Sequence, residues 1–91
     1  DKPVLVDFYA DWCAPCQQLS PLLKRITSDP NLVGGVELDL VTVDTDAQPK
    51  LAQEMGITSL PTVIAFRNGK QLSHFIGLQR IDALKRFVKE L

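Results

Sequence analysis

The apolar run Val4-Leu5-Val6-Asp7-Phe8-Tyr9-Ala10 passes into Trp12-Cys13-Ala14-Pro15-Cys16, where a helical pattern begins. This junction constrains the chain more than any other segment. A near-continuous apolar run of this length is the pattern of a strand buried on both faces of a parallel sheet. Such a strand delivers Cys13 to the start of a helix, where unpaired backbone N–H groups and the positive end of the helix dipole favour a thiolate. Cys16 lies one helical turn on, close enough to close a disulfide with Cys13. These are the only cysteines in the chain. Their placement suits reversible disulfide chemistry.

With 91 residues, 45% of them hydrophobic, the chain fits one small globular domain. A net charge of −1 gives no electrostatic support to a nucleic-acid or anionic-membrane partner. No apolar run is long enough to span a bilayer, and no signal-peptide pattern is visible. Two cysteines at this spacing do not make the framework of a secreted disulfide scaffold, and so small a loop adds little as a staple. The first residue is Asp1, and Lys2-Pro3 leads straight into the strand, so an upstream segment is expected to have been removed.

A helix is predicted from about Cys13 to Ser28, with Leu19, Leu22, Leu23 and Ile26 on its buried face and a kink at Pro21. Asp29-Pro30-Asn31 and Gly34-Gly35 mark a loop. A second strand follows at 38–44. A short helix through Met55 is then expected, capped by Asp46, with Leu51, Ala52 and Met55 facing inward and Gly56 in the left-handed position at its end. Residues 62–66 read as a third strand. Asn68-Gly69 is a hairpin signal and implies an antiparallel fourth strand at about 71–76. The last helix buries Ile81, Leu84, Phe87, Val88 and Leu91. The resulting order is β-α-β-α-β-β-α, an α/β fold with sheet order 2-1-3-4. Both helical crossovers are expected to join parallel strands, and the hairpin to add an antiparallel edge. Strand order reverses at the carboxyl end of the first strand, the usual place for a site in an open α/β sheet, and Cys13 lies there.

Several of these segments together resemble the thioredoxin family, over essentially the whole chain. They are Val-Asp-Phe-Tyr-Ala ending in Trp12-Cys13-Ala14-Pro15-Cys16, Pro21 five residues later, Val43-Asp44-Thr45-Asp46, Ser59-Leu60-Pro61-Thr62, Phe66-Arg67-Asn68-Gly69-Lys70 and Gly77. The resemblance implies a thioredoxin-like fold over residues 1–91. Three departures stand out. Ala14 replaces the usual Gly. The family's strand and helix before residue 4 are lacking, which suggests truncation at the N-terminus and would leave the 38–44 strand as an exposed edge. Leu40 stands where many members carry a Lys beside the buried acid.

By this resemblance Cys13 is the nucleophile that forms a mixed disulfide with a substrate, and Cys16 the thiol that resolves it. Asp7 is the buried acid that accepts the Cys16 proton. A carboxylate in an apolar strand is costly unless paired or neutralised, and without a lysine at position 40 Asp7 is expected to stay protonated to higher pH. Pro61 resembles a cis-proline facing the disulfide, with Leu60 offering its backbone to an extended substrate segment. Trp12, Ala14, Pro15 and Gly77 are candidates for the same docking surface, and the Gly56–Ile57–Thr58 turn for its groove. The competing readings are plain core cysteines, a hydrogen-bonded rim Asp7 and turn glycines. A metal centre would need ligands from a dimer, since two Cys and one His fall short of tetrahedral zinc. His74 reads as a surface residue. No metal and no cofactor beyond the cysteine pair are expected.

The expected function is a monomeric protein-disulfide reductase acting on disulfide-containing client proteins. It would be regenerated by a thioredoxin reductase or an equivalent donor, in the cytoplasm or mitochondria. Two other readings compete. One is a client-binding module of a larger or chaperone-type protein. The other is a disulfide oxidant or isomerase, which Pro15 and the apolar Leu60 disfavour. A reductant-like potential is the corresponding expectation.

Overall fold

The computed structural model describes residues 1–91. In chain order it contains β1 (Val4–Tyr9), α1 (Ala14–Ser28), a 3₁₀ turn (Pro30–Val33), β2 (Asp39–Asp44), α2 (Pro49–Glu54), β3 (Thr62–Arg67), β4 (Lys70–Ile76) and α3 (Ile81–Lys89). The four strands form one mixed sheet in the order β2-β1-β3-β4. Both the element order and the strand order match the sequence reading.

The sheet has one well-covered face. Side chains alternate across a strand, so Leu5 and Asp7 of β1 point the same way as Val63 and Ala65 of β3, their registered partners. Leu19, Leu23 and Ile26 of α1 and Leu84 and Val88 of α3 pack on that face with Leu5, Val63 and Ala65, joined by Val33 and Leu38. Phe75 and Phe87 meet edge to face over the same core, with ring centroids 5.0 Å apart. The opposite face is thinner. Val4 and Val6 are half-buried while Phe8 on the same face is buried, so β1 is enclosed on both sides only toward its carboxyl end. β2 is the outer strand of the sheet on that side, with Val41 46% exposed.

Strand direction departs from the expectation of two parallel crossovers. β1 and β2 are parallel, joined through α1. β3, however, runs antiparallel to β1. The connection between β2 and β3, residues 45–61, begins beside Tyr9, where the Thr45 N–H donates to the Tyr9 carbonyl, and ends beside Phe8, so it stays at one end of the sheet. β3 starts at Thr62, beside Phe8, and runs back down.

Smaller corrections follow from the same region. The N-cap of α2 is Gln48, with Pro49 opening the helix, and not Asp46. Asp46 is held in the preceding turn, where its N–H donates to Asp44 Oδ1 at 3.0 Å. Leu51 is 40% exposed, while Ala52 is the buried residue of α2. Asn68 and Gly69 take positive φ angles of 53° and 78°, as the two-residue hairpin turn requires. Gly56 sits at φ 70° after α2. Pro21 lies inside α1, which continues through it to Ser28. No helix is long and apolar enough to cross a membrane.

Candidate active site

The carboxyl end of β1 and the first turn of α1 build the site. Cys13 takes the N-cap position of α1, in extended conformation (φ −89°, ψ 106°). Its N–H donates to the Ala10 carbonyl at 3.1 Å, which fixes the turn out of the strand. Pro15 falls in the first helical turn, where its missing N–H costs nothing. The Cys16 N–H then donates to Cys13 Sγ at 3.2 Å. This is an N-cap bond with sulfur in the place of the usual oxygen. No acidic residue occupies the first turn of α1, so the positive end of the helix is not neutralised from within.

Cys13 and Cys16 are joined in a disulfide, with a Cα–Cα separation of 5.2 Å, ordinary for such a bond. The two cysteines differ in surroundings. Cys13 retains 5% exposure and Cys16 only 2%, and both pack with Ala10 in a small cluster that Tyr9 and Leu60 border. Leu60 is thus brought against the cysteines by the loop before β3. The Leu60–Pro61 peptide bond is cis, as the sequence reading expected. Gly77 joins the same neighbourhood, its N–H donating to the Pro61 carbonyl at 2.8 Å. Ala14 and Pro15 are exposed on the first turn of α1.

Trp12 projects into solvent, 72% exposed. Its indole Nε1–H donates to Asp46 Oδ2 at 2.9 Å, tying the active-site turn to the loop after β2. That loop is pinned a second time, since both the N–H and the hydroxyl of Thr45 donate to the Tyr9 carbonyl, at 2.9 and 3.0 Å. Asp46 is a site residue that the sequence reading placed elsewhere, as a helix cap. The Gly56–Ile57–Thr58 turn does not join the groove at the cysteines. It lines a separate cleft of about 130 Å³ with Met55, Ile64 and His74, which neither cysteine borders.

Asp7 lies on the covered face of β1 and is 2% exposed. Its Oδ1 is buried without a hydrogen-bond partner. Burial pushes the carboxyl from the usual 3.8 up to about 6. Asp7 and Cys16 border the same cleft of about 200 Å³, which opens between α1 and β2 and is also lined by Tyr9, Asp11, Gln17, Ser20, Lys24 and Thr42. The arrangement therefore couples an N-capped sulfur, a buried partner sulfur and a buried carboxyl that ionises near neutral pH.

Sequence and structure comparisons agree on what such an arrangement is. The thioredoxin family profile matches residues 1–90. A thioredoxin of Chlamydia muridarum is 37% identical over 87 residues, covering 96% of this chain and 80% of that protein. A solved mutant thioredoxin from Halobacterium salinarum superposes with a TM-score of 0.86 at 34% identity, covering 99% of this chain and 74% of the other. The oxidised mitochondrial thioredoxin 3 of Saccharomyces cerevisiae gives 0.83 at 28% identity, covering 100% and 80%. With a disulfide at the head of α1 and kinship along nearly its full length, the chain belongs to the thioredoxin family of thiol–disulfide oxidoreductases, and Cys13 and Cys16 are its redox pair.

Proposed function

We propose that residues 1–91 act as one protein-disulfide reductase domain in which Cys13 attacks, Cys16 resolves and Asp7 moves the proton. In the reduced protein, Cys13 thiolate attacks one sulfur of a client disulfide, and the other client sulfur leaves as a thiolate. Asp7 then takes the proton of the Cys16 thiol. Cys16 attacks Cys13 Sγ, the mixed disulfide breaks and the second client thiolate departs. The client gains two electrons and the Cys13–Cys16 pair loses two. A donor of the thioredoxin-reductase type restores the dithiol. The observation that carries this reading is the asymmetry of the pair: a backbone N–H reaches Cys13 Sγ at 3.2 Å, whereas Cys16 shares its cleft with Asp7.

Trp12, Ala14, Pro15, Leu60, Pro61 and Gly77 form the docking face in this reading. Their exposure or packing around the disulfide supports it. The clients are disulfide-containing proteins, and the compartment is cytoplasmic or mitochondrial, in keeping with a bacterial relative and a mitochondrial structural neighbour. The test is reduction of insulin disulfides by the wild type and by Cys13→Ser and Cys16→Ser. Cys13→Ser should be inactive and trap nothing. Cys16→Ser should accumulate a mixed disulfide. Turnover by Cys13→Ser would overturn the assignment of roles. Equilibration with glutathione should give a reductant-like potential. A strongly oxidising value would move the reading to an oxidant or isomerase.

A further inference from the structure

We propose that Lys24 is a positioning residue for Asp7, its ammonium favouring the ionised form of the buried carboxyl across the cleft and so its readiness to accept the Cys16 proton. The proposal rests on the reading of Asp7 as proton acceptor given above, and adds the group that keeps it ready.

Three observations converge. Asp7 Oδ1 is buried with no hydrogen-bond partner. A carboxylate left that way carries an uncompensated desolvation cost. The cleft beside it, about 200 Å³, has room for several waters that could bridge the oxygen to the solvent side. Lys24 of α1 is the one cation that lines this cleft. It is also unengaged, since the single ion pair in the structure joins Lys2 to Asp39.

No other element supplies a positive charge to Asp7. The β2 residues registered with Leu5, Asp7 and Tyr9 are Leu40, Thr42 and Asp44, which are apolar, neutral and acidic. On the other side the β3 partner of Asp7 is Val63. Among the remaining ionisable groups at the cleft, Tyr9 and Cys16 are neutral or anionic and Asp11 is acidic. Asp11, and Asp44 beyond Thr42, carry the wrong sign to favour a negative charge on Asp7, and the neutral side chains carry none. Lys24 alone favours it. The side chain is exposed, and its four-carbon stem gives the ammonium reach across the cleft. A proton taken from Cys16 then leaves to solvent through the same opening.

The test uses the full chain as wild type, Lys24→Gln, Lys24→Arg and Asp7→Asn. Asp7 is titrated by carbon NMR in the reduced protein. The resolving step is followed by loading Cys13 with thionitrobenzoate and timing its release by Cys16 across pH. Lys24→Gln should raise the Asp7 midpoint by about half a pH unit, as expected for one exposed charge across a solvated gap. The acid limb of the release profile should move with it. Lys24→Arg should restore both, and added salt should shrink the difference. If Lys24→Gln leaves both midpoints unchanged while Asp7→Asn removes the acid limb, the role of Lys24 is overturned and that of Asp7 stands. If the acid limb survives in Asp7→Asn, both readings fall.

Discussion

Replacing Asp7 by Asn should stabilise the folded protein at neutral pH and leave it nearly unchanged in acid. Asp7 is 2% exposed, and burial raises its carboxyl from 3.8 to about 6. A carboxyl whose folded value lies above its unfolded one favours the fold only while protonated. That contribution is fully present below pH 3.8 and is lost as pH rises through about 6. At 1.36 kcal/mol per pH decade, the interval amounts to about 3 kcal/mol of destabilisation at pH 7.5. Asn has the same shape and no charge, so it removes this penalty, and its buried amide costs about as much as the buried protonated carboxyl, a cost that does not vary with pH. Urea unfolding of both proteins at pH 3.5 and pH 7.5, under oxidising conditions, isolates the effect. Other carboxylates titrate in both and cancel in the difference. Asp7→Asn should gain about 3 kcal/mol relative to wild type on going from the lower to the higher pH, with unchanged denaturant slope. An equal difference at the two pH values would refute the claim that Asp7 is a desolvated acid.

Two further outcomes bear on the fold and the active-site turn. Leu23→Ala empties a fully buried position between α1 and the sheet and should cost about 2–5 kcal/mol by urea midpoint; a loss under 1 kcal/mol would mean that the core collapses around the gap. The Trp12–Asp46 hydrogen bond is exposed, so a double-mutant cycle of Trp12→Phe and Asp46→Ala should show a coupling below about 1 kcal/mol, and a larger value would show that the turn is shielded by something beyond these two side chains.

The parts of the molecule that were legible in the sequence are those governed by local patterning. The Leu19, Leu23 and Ile26 stripe, the Asn68-Gly69 turn and the strand-to-helix passage at Cys13 each depend on neighbours within a few positions. What escaped depends on distance or direction. Apolar periodicity carries no sense of direction, so it does not tell that β3 runs antiparallel to β1. Asp46 has the chemistry of a helix cap, but its carboxylate is taken by an indole 34 positions away, and its N–H by Asp44. Leu51 fits a buried helical face by spacing, yet in the six-residue α2 only Ala52 is buried and Leu51 is exposed. The cleft at Asp7 combines β1, β2 and α1, and nothing in the spacing of Ser20, Lys24 and Thr42 announces that they meet.

The candidate site treats two neighbouring sulfurs in opposite ways, and the proposed reaction requires that difference. Cys13 is supplied with a donor from its own helix, in a first turn free of acidic residues. A negative charge there is welcomed before any substrate arrives. Cys16 is the more buried of the two and borders a carboxyl with an unpaired oxygen. It can become nucleophilic only by handing its proton over, which ties its reactivity to the state of Asp7. Were both sulfurs equally ready, the dithiol would not distinguish attack on a client from closure of its own disulfide. An apolar residue at position 7 would pack on Leu5 and Val63 without the penalty of about 3 kcal/mol worked out above. A buried acid without a partner, set beside a reactive thiol, is a local defect in a stable core. Its position at the one cleft shared with Cys16 gives that defect a chemical use.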